Sequence, residues 1–312
     1  MMVLAGSGCL YPDYGCGDGQ EQPLTLVEVH EWGVFQQHYG YNDTFMAGGG
    51  NSEHPPKPEV VETEDCKPVI YFHGRGIGNV NVTVRTNATD IVTIPQAQVS
   101  DGVINWQVTV TGELHPRANL PPPAVVWDNQ EENTSYEYLF YEGKNKDTQD
   151  VVAKLTKEGD NLSFNLTNIG QDSLGDMLFF YLQPSGEGDL TVLANWTKLE
   201  PGENRKLNTS MGAGFTSASL RGLLKDKLLA RGLVEKEAED LLEYWMDKVV
   251  DDLGLQADRS FTEQGKNETA HILYFMPQSK LDARLPMTVD PSAAITRVGL
   301  MWVQDVPVGV VE

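Results

Sequence analysis

The sequence has little of what marks most enzymes and metalloproteins. Its 312 residues contain only 3 cysteines and no Cys-x-x-Cys pair, which argues against cysteine-bound structural zinc and thioredoxin-like redox chemistry. No Gly-x-Ser-x-Gly elbow, Walker loop, His-Glu-x-x-His helix or EF-hand spacing occurs. No segment approaches the run of about 20 apolar residues that a membrane-spanning helix needs. The sequence also indicates no cofactor.

Positive charge is scarce as well. The chain carries 23 lysines and arginines against 45 acidic residues, a formal net charge of -22. This balance argues against nucleic acids and anionic lipid surfaces as partners and favours cations or simple colloidal solubility. With 40% hydrophobic and 22% charged residues, the composition is otherwise that of an ordinary folded domain.

The N-terminus predicts an address outside the cytoplasm. Residues 1–9 form a short apolar run that ends in small residues before Cys9, like the lipobox end of a signal peptide. We therefore expect a lipid on Cys9 as the only membrane contact; the alternative is an ordinary terminal tail. Residues 1–24 are interpreted as leader and linker, and residues 25–312 as a single β-rich domain.

N-glycosylation acceptor sites at asparagines also indicate a location outside the cytoplasm. Chance placement of the 17 asparagines would give roughly two Asn-X-Ser/Thr sites, whereas the chain has nine. They are Asn42, Asn81, Asn87, Asn133, Asn161, Asn165, Asn195, Asn208 and Asn267. Alternating valines and leucines place Asn81, Asn161 and Asn165 on solvated strand faces. Because lipobox anchors are prokaryotic and dense N-glycan sites are not typical of bacteria, the combination favours an archaeal surface glycoprotein.

Period-two patterns predict half-buried antiparallel strands from Leu26 to about Trp196, for example where Ile104, Trp106, Val108 and Val110 alternate with polar residues. Leucines spaced for helices then predict a helical hairpin at about 217–254, and strands return near 271 and 295. The predicted fold is mainly β (α+β), an antiparallel β-sandwich or jelly-roll-like pair of sheets with an inserted helical hairpin.

The segment His30-Glu31-Trp32-Gly33-Val34-Phe35 carries a family resemblance. Over residues 26–303 the chain resembles an uncharacterised family of secreted prokaryotic proteins that share a His-Glu-Trp-Gly-Thr-Phe segment. The likeness continues at residues 68–72 and 139–143, and at Glu237, Trp245 and Arg297. Val34 replaces the family's threonine, so the chain is a divergent member. The resemblance implies secretion and brings no activity with it.

His30 and Glu31 are the candidate catalytic pair, and His30 is the candidate metal ligand; the alternative for His30 is a hydrogen-bonded structural histidine. Adjacent strand residues point to opposite faces, so both can enter one site only through a bulge, which Gly33 could supply. The remaining histidines show no ligand spacing. The glycines of residues 74–78 superficially suggest a phosphate loop, but a strand follows, so we interpret them as a hairpin turn.

Glu31 presents a conflict within its own strand. Val27 and Val29 define an apolar face, and strict alternation places Glu31 on that same face. A buried carboxylate needs a cation or several hydrogen-bond donors, and Arg284 and Arg297 are the candidate partners.

Two classes of function follow. The first is a binding or structural module of the cell envelope, whose partner would be an envelope polymer or a surface protein. The second is an extracytoplasmic hydrolase, with or without the assistance of a metal, built around Glu31 and His30 with Arg284 or Arg297 as anion contacts. A cleft with His30, another histidine and a carboxylate would favour the hydrolase, and a closed apolar environment would favour the module.

If Cys9 carries lipid, Cys16 and Cys66 remain to form one disulfide in oxidising surroundings. This bridge would close a loop of about 50 residues and stabilise the fold by roughly 4 kcal/mol. Reductant should therefore lower the unfolding midpoint of the wild type and leave that of Cys66→Ser unchanged. Free thiols on both residues in protein from the native host, found by peptide mapping, would contradict the prediction.

Overall fold

The computed structural model describes most of the chain. The described residues are 22–39, 60–112, 125–128, 135–158, 161–184, 190–208, 213–215, 217–247 and 269–310. Cys9, Cys16 and the acceptor sites at Asn42, Asn133 and Asn267 lie outside them, and the side chain of Cys66 is not described. The lipid anchor and the disulfide therefore stay predictions. Within the described residues no helix is long and apolar enough to span a membrane.

Strands dominate the described residues, as the period-two patterns of the sequence led us to expect. They are β1 Thr25–His38, β2 Val60–Arg85, β3 Thr89–Ile94, β4 Gln98–Ser100, β5 Val103–Gly112, β6 Val125–Asp128, β7 Ser135–Tyr136, β8 Leu139–Thr148, β9 Val151–Glu158, β10 Asn161–Asn168, β11 Leu174–Pro184, β12 Leu190–Leu199, β13 Asn204–Asn208, β14 Ala213–Phe215, β15 Thr269–Phe275, β16 Met287–Asp290 and β17 Ala294–Val310. The helices are α1 Ser217–Leu229, α2 Glu235–Asp247 and α3 Gln278–Arg284.

Strand β1 lies at the centre of a large sheet, between β2 and β17. It pairs antiparallel with β2, where Trp32 lies opposite Val69, and parallel with β17, where Glu31 lies opposite Arg297. Most other pairings are antiparallel, as predicted, but β17 is also parallel to β9. These parallel pairings were not expected. They arise because β1 and β17 lie near opposite ends of the described residues, so no hairpin turn forces them to run antiparallel.

The long strands β2 and β17 continue beyond the large sheet. The last part of β2 pairs with β5 and β16 in a second, antiparallel sheet, and the end of β17 joins a ladder of β9, β10 and β13. Side chains from all three groups share one core, which includes Val29, Trp106, Leu166 and Tyr274. The mainly β, sandwich-like fold predicted from the sequence is confirmed.

A second core lies on the other face of the large sheet, under the helical hairpin formed by α1 and α2. It joins Trp32 and Tyr71 of the sheet to Leu224 and Leu241 of the hairpin. The leucine stripes of the hairpin thus pack against the sheet. The predicted end of the second helix, at Gly254, lies outside the described residues.

The prediction of a hairpin turn at residues 74–78 is wrong, because these residues continue strand β2 without a break. A methyl group on Gly76 would lie 2.5 Å from the carbonyl oxygens of Gln22 and Pro23. One on Gly78 would lie 2.6 Å from Cβ of Leu24. The glycines therefore allow the backbone that precedes β1 to lie directly against β2.

Replacement of Gly76 by alanine tests this close approach. Gly76 has a φ of 85°, which disfavours any side chain, and the added methyl group would meet backbone atoms that cannot turn aside. We expect the free energy of unfolding to fall by at least about 2 kcal/mol.

Gly222→Ala is the matched control, since Gly222 lies within α1 and the added methyl group would have no atom within 4 Å beyond its chain neighbours and the backbone of its own helix. Alanine favours a helix interior by about 1 kcal/mol, so this change should stabilise the protein. Chemical denaturation measures both variants, and equal stability of Gly76→Ala and the wild type would contradict the interpretation.

Candidate functional site

The side chains of His30 and Glu31, neighbours on strand β1, lie on opposite faces of the large sheet. His30 contacts Glu237 of α2, whereas Glu31 contacts Tyr141 within the sandwich core. His30 is 0% exposed and Glu31 is 1% exposed. The two residues therefore belong to separate polar clusters, as the alternation of a strand requires. The bulge next to Gly33 does not bring them together.

The cluster on the hairpin side joins His30, His73 and Glu237. Nδ1 of His30 lies 2.8 Å from Oε2 of Glu237, and Nε2 of His73 lies 2.7 Å from Oε1 of the same carboxylate. The two imidazole rings lie 4.2 Å apart between centroids. All three side chains are fully buried. One carboxylate thus binds one histidine from each of the neighbouring strands β1 and β2.

The position of Glu237 follows from the start of helix α2. The backbone N–H of Val234, just before the helix, donates a hydrogen bond of 2.9 Å to Oε2 of Glu237. This contact is half of a capping box, in which a side chain of the first turn satisfies a free backbone donor. The positive end of the helix dipole also favours a negative charge there. Glu237 is therefore held in place by its own helix.

Glu28 extends the cluster towards solvent. It lies two residues before His30 on the same strand face, and its Oε1 is 3.2 Å from Nε2 of His30. Oε1 also accepts a hydrogen bond of 2.6 Å from the hydroxyl of Thr296 on β17. The side chain of Glu28 is 22% exposed. His30 thus has a carboxylate beside each ring nitrogen.

These carboxylates favour the charged form of His30. Burial by itself lowers the pKa of His30, but the hydrogen bond and charge of Glu237, followed by those of Glu28, raise it above the ordinary histidine value. For Glu237, burial raises the pKa and the two histidines lower it, with a net decrease. Glu237 is therefore an anion at neutral pH.

Tyr71 and Asp240 lie beside this cluster. The hydroxyl of Tyr71 donates a hydrogen bond of 2.8 Å to Oδ2 of Asp240, one turn after Glu237 on α2. Burial, together with the charge of Asp240, raises the pKa of Tyr71, so the hydroxyl keeps its proton. This second polar contact strengthens the attachment of α2 to the sheet.

The cluster can hold a cation or protons, but it cannot receive a substrate. Ligand atoms of His30, His73 and Glu237 all lie within 4.8 Å of one another. No other group of three such residues occurs in the part of the chain that the structure describes. The three side chains are fully buried, on the face of the sheet that the second core covers. His30 thus meets a second histidine and a carboxylate, but in a closed environment and not in a cleft.

The cluster on the sandwich side is built around Glu31 and Arg297. Nε of Arg297 donates a hydrogen bond of 2.5 Å to Oε2 of Glu31, and the hydroxyl of Tyr141 donates one of 2.7 Å to Oε1. Arg297 also donates bonds of 3.0 Å to Asp282 and 2.7 Å to the carbonyl oxygen of Leu285. The ion pair expected for a buried Glu31 is therefore present, and both of its oxygens accept hydrogen bonds.

Arg284, the other candidate partner, takes a different position. Its guanidinium carbon lies 4.9 Å from the centroid of the Phe35 ring, a cation–π contact. The assumption that Val27 marks the buried face was wrong, since Val27 is 46% exposed. A register shift between Leu26 and Glu28 interrupts the alternation there, and Val29 alone defines the buried face.

Sequence reasoning missed His73 and Glu237 as members of one site. Glu237 stands on the buried stripe of α2, four residues before Leu241 and eight before Trp245. His73 follows Tyr71 by two residues on β2 and so shares its face. A charged residue on an apolar stripe was the available signal, because such a residue must have a buried partner.

The acceptor sites with described side chains lie at the surface. Asn81, Asn87, Asn165 and Asn208 are all exposed, which agrees with the strand alternation used to place Asn81 and Asn165. The side chains of Asn161 and Asn195 are not described. Asn165 and Asn208 lie on paired strands, and their residues face the same side of the ladder. Attachment of glycans to these sites stays a prediction.

The comparisons with known proteins show no family for this chain. No family model and no curated protein sequence matches the chain. The structure of the yeast delta-COP-I mu-homology domain complexed with a Dsl1 WxWxV peptide is similar over 91% of this chain and 98% of its own, with 8% identity and a TM-score of 0.37. Another structure of this yeast domain covers 94% and 100%, with 9% identity and a TM-score of 0.37. Such a low TM-score supports no statement about function.

Replacement of Glu31 by glutamine tests the role of the buried ion pair. The change keeps the shape of the side chain but leaves the charge of Arg297 with Asp282 alone, which is 50% exposed. We expect the free energy of unfolding to fall by about 3 kcal/mol, as measured by chemical denaturation.

Glu200→Gln is the control, because Glu200 pairs with Lys198 at the surface, where an ion pair contributes little. It should leave stability unchanged. A Glu31→Gln protein as stable as the wild type would refute the structural role.

Proposed function

We propose that this protein works outside the cytoplasm as a lipid-anchored, N-glycosylated module of the cell envelope, with a binding or structural role. One observation favours the envelope module over the hydrolase. His30 and Glu31, the residues around which a hydrolase would be built, lie on opposite faces of one sheet and are both enclosed. A general acid or base must reach a bound substrate, and neither residue can do so in this structure.

The distribution of acceptor sites supports the same proposal. Asn81 lies on the outer face of the second sheet, and Asn165 and Asn208 lie on the outer face of the β10–β13 ladder. Glycans at these positions would cover two outer faces of the sandwich. The sheet edges and loops would then form the contact with an envelope polymer or surface protein. A net charge of -22 keeps such a surface soluble and unattractive to nucleic acid.

The proposal predicts specific modifications of the protein made in its native host. Intact-mass spectrometry should show a lipid on Cys9 and glycans on most acceptor sites. Asn81→Gln should remove the mass of one glycan, because the side chain that accepts it is gone. Asn105→Gln is the matched control, since Asn105 lies on the adjacent strand β5 in a sequence that is not an acceptor site. An unmodified mass would refute the proposed address.

The second candidate is an extracytoplasmic hydrolase. The meeting of His30 with His73 and a carboxylate is the observation that favours it. A hydrolase built on these residues would lose its activity in His30→Gln or Glu31→Gln while it kept nearly all of its thermal stability. A loss of stability with no hydrolytic activity in the wild type against ester, peptide and glycoside substrates supports the envelope module.

A further inference from the structure

We propose that His30, His73 and Glu237 bind one Zn²⁺ ion, which joins the helical hairpin to the large sheet. This inference is independent of the proposed role in the envelope. It rests on the donor atoms present, the carboxylate behind His30 and the places in the fold from which the ligands come.

The donor atoms suit zinc. Two neutral imidazoles and one carboxylate form a ligand set that zinc uses in proteins, with metal distances of about 2.0–2.2 Å. If both oxygens of Glu237 bind, the three residues supply four donor atoms: Nδ1 of His30, Nε2 of His73, and Oε1 and Oε2 of Glu237. The scarcity of cysteine excludes only zinc sites that depend on sulfur.

The spacing of these atoms requires only a small adjustment. The nitrogens lie 2.8 and 2.7 Å from the oxygens of Glu237, and one ligand atom from each of the three residues lies within 4.8 Å of the other two. Ligand atoms from different residues around a tetrahedral zinc ion are about 3.3 Å apart, as follows from its bond lengths. The two N···O distances would therefore lengthen by roughly 0.5 Å when the ion binds.

The position of Glu28 behind His30 independently supports a metal site. A histidine that binds a metal through one ring nitrogen usually donates the N–H of the other to a carboxylate. In His30, the nitrogen that faces away from Glu237 is Nε2, which is buried and lies 3.2 Å from Oε1 of Glu28. Nε2 has no well-aligned hydrogen bond within the described residues. Zinc on Nδ1 would keep the proton on Nε2 and direct it at Glu28.

The charges also balance with a divalent ion present. Glu28 and Glu237 contribute two negative charges next to two imidazoles, and one Zn²⁺ ion neutralises both when the imidazoles are neutral. A buried carboxylate without a compensating positive charge is costly, so a buried site whose net charge is zero is favoured. Thr296 and the N–H of Val234 hold the two carboxylates in place before any ion binds.

The ligands come from parts of the chain that are far apart. Glu237 is 207 residues from His30 and 164 residues from His73. A metal bound by all three would connect α2 to β1 and β2 directly. Because the site is fully buried, its role would be structural, and metal binding would add to the stability of the hairpin on the sheet.

The test is metal binding by the purified full-length protein. After equilibration with Zn²⁺ and dialysis, elemental analysis should find one zinc per chain, and Co²⁺ in its place should give the visible absorption of a tetrahedral site. His73→Gln and Glu237→Gln should bind no stoichiometric metal. His271→Gln is the matched control, since His271 is a buried histidine on β15 outside the cluster, and it should retain one zinc.

Glu28→Gln provides a test that does not depend on the folding of the ligand variants. Glu28 is partly exposed, so its replacement is compatible with the fold. Loss of a carboxylate behind a metal-bound histidine should weaken zinc affinity by roughly 10–100-fold. Unchanged affinity in Glu28→Gln, or a folded wild-type protein that binds neither zinc nor cobalt, would overturn the proposal.

Discussion

The burial of strand β1 on both faces is the constraint on which the rest of the structure depends. From Val29 to Phe35 every residue is buried, because β2 and β17 flank the strand while the sandwich core and the hairpin cover its faces. A polar side chain in such a strand cannot reach water and must find a partner within the protein. His30 contacts Glu237 and Glu31 contacts Arg297, so the hairpin and β17 supply the partners of the buried polar side chains of β1.

The two polar clusters solve this problem in different ways. In the pair of Glu31 and Arg297, both oxygens of Glu31 accept hydrogen bonds, and the guanidinium donates to Glu31, to Asp282 and to the carbonyl oxygen of Leu285. A buried ion pair adds little net stability over apolar residues, but it penalises any arrangement that separates its members. It therefore favours the register in which Glu31 lies opposite Arg297. The histidine cluster instead continues to Glu28, which is partly exposed.

Several features of the fold could be predicted from the sequence because they depend on short-range periodicity. Alternating apolar residues indicated strands such as β5, and leucine spacing indicated both helices of the hairpin. The same alternation placed Glu31 on a buried face and predicted an arginine partner. Alternation gave the wrong face for Val27, because a bulge shifts the register there. The glycines around Gly76 suggested a turn, but they lie inside a continuous strand.

The sequence by itself determined which side chains of each element face a core, since the periods of strands and helices are local properties. It thus determined that Glu237 stands on an apolar stripe and that His30 and Glu31 point apart. Only the tertiary structure decided which buried groups meet. Strand β1 pairs with β17, which lies near the other end of the described residues, and Glu237 contacts His30 and His73 across 207 and 164 residues of chain. Periodicity assigns a residue to a face but carries no information about the element that covers that face.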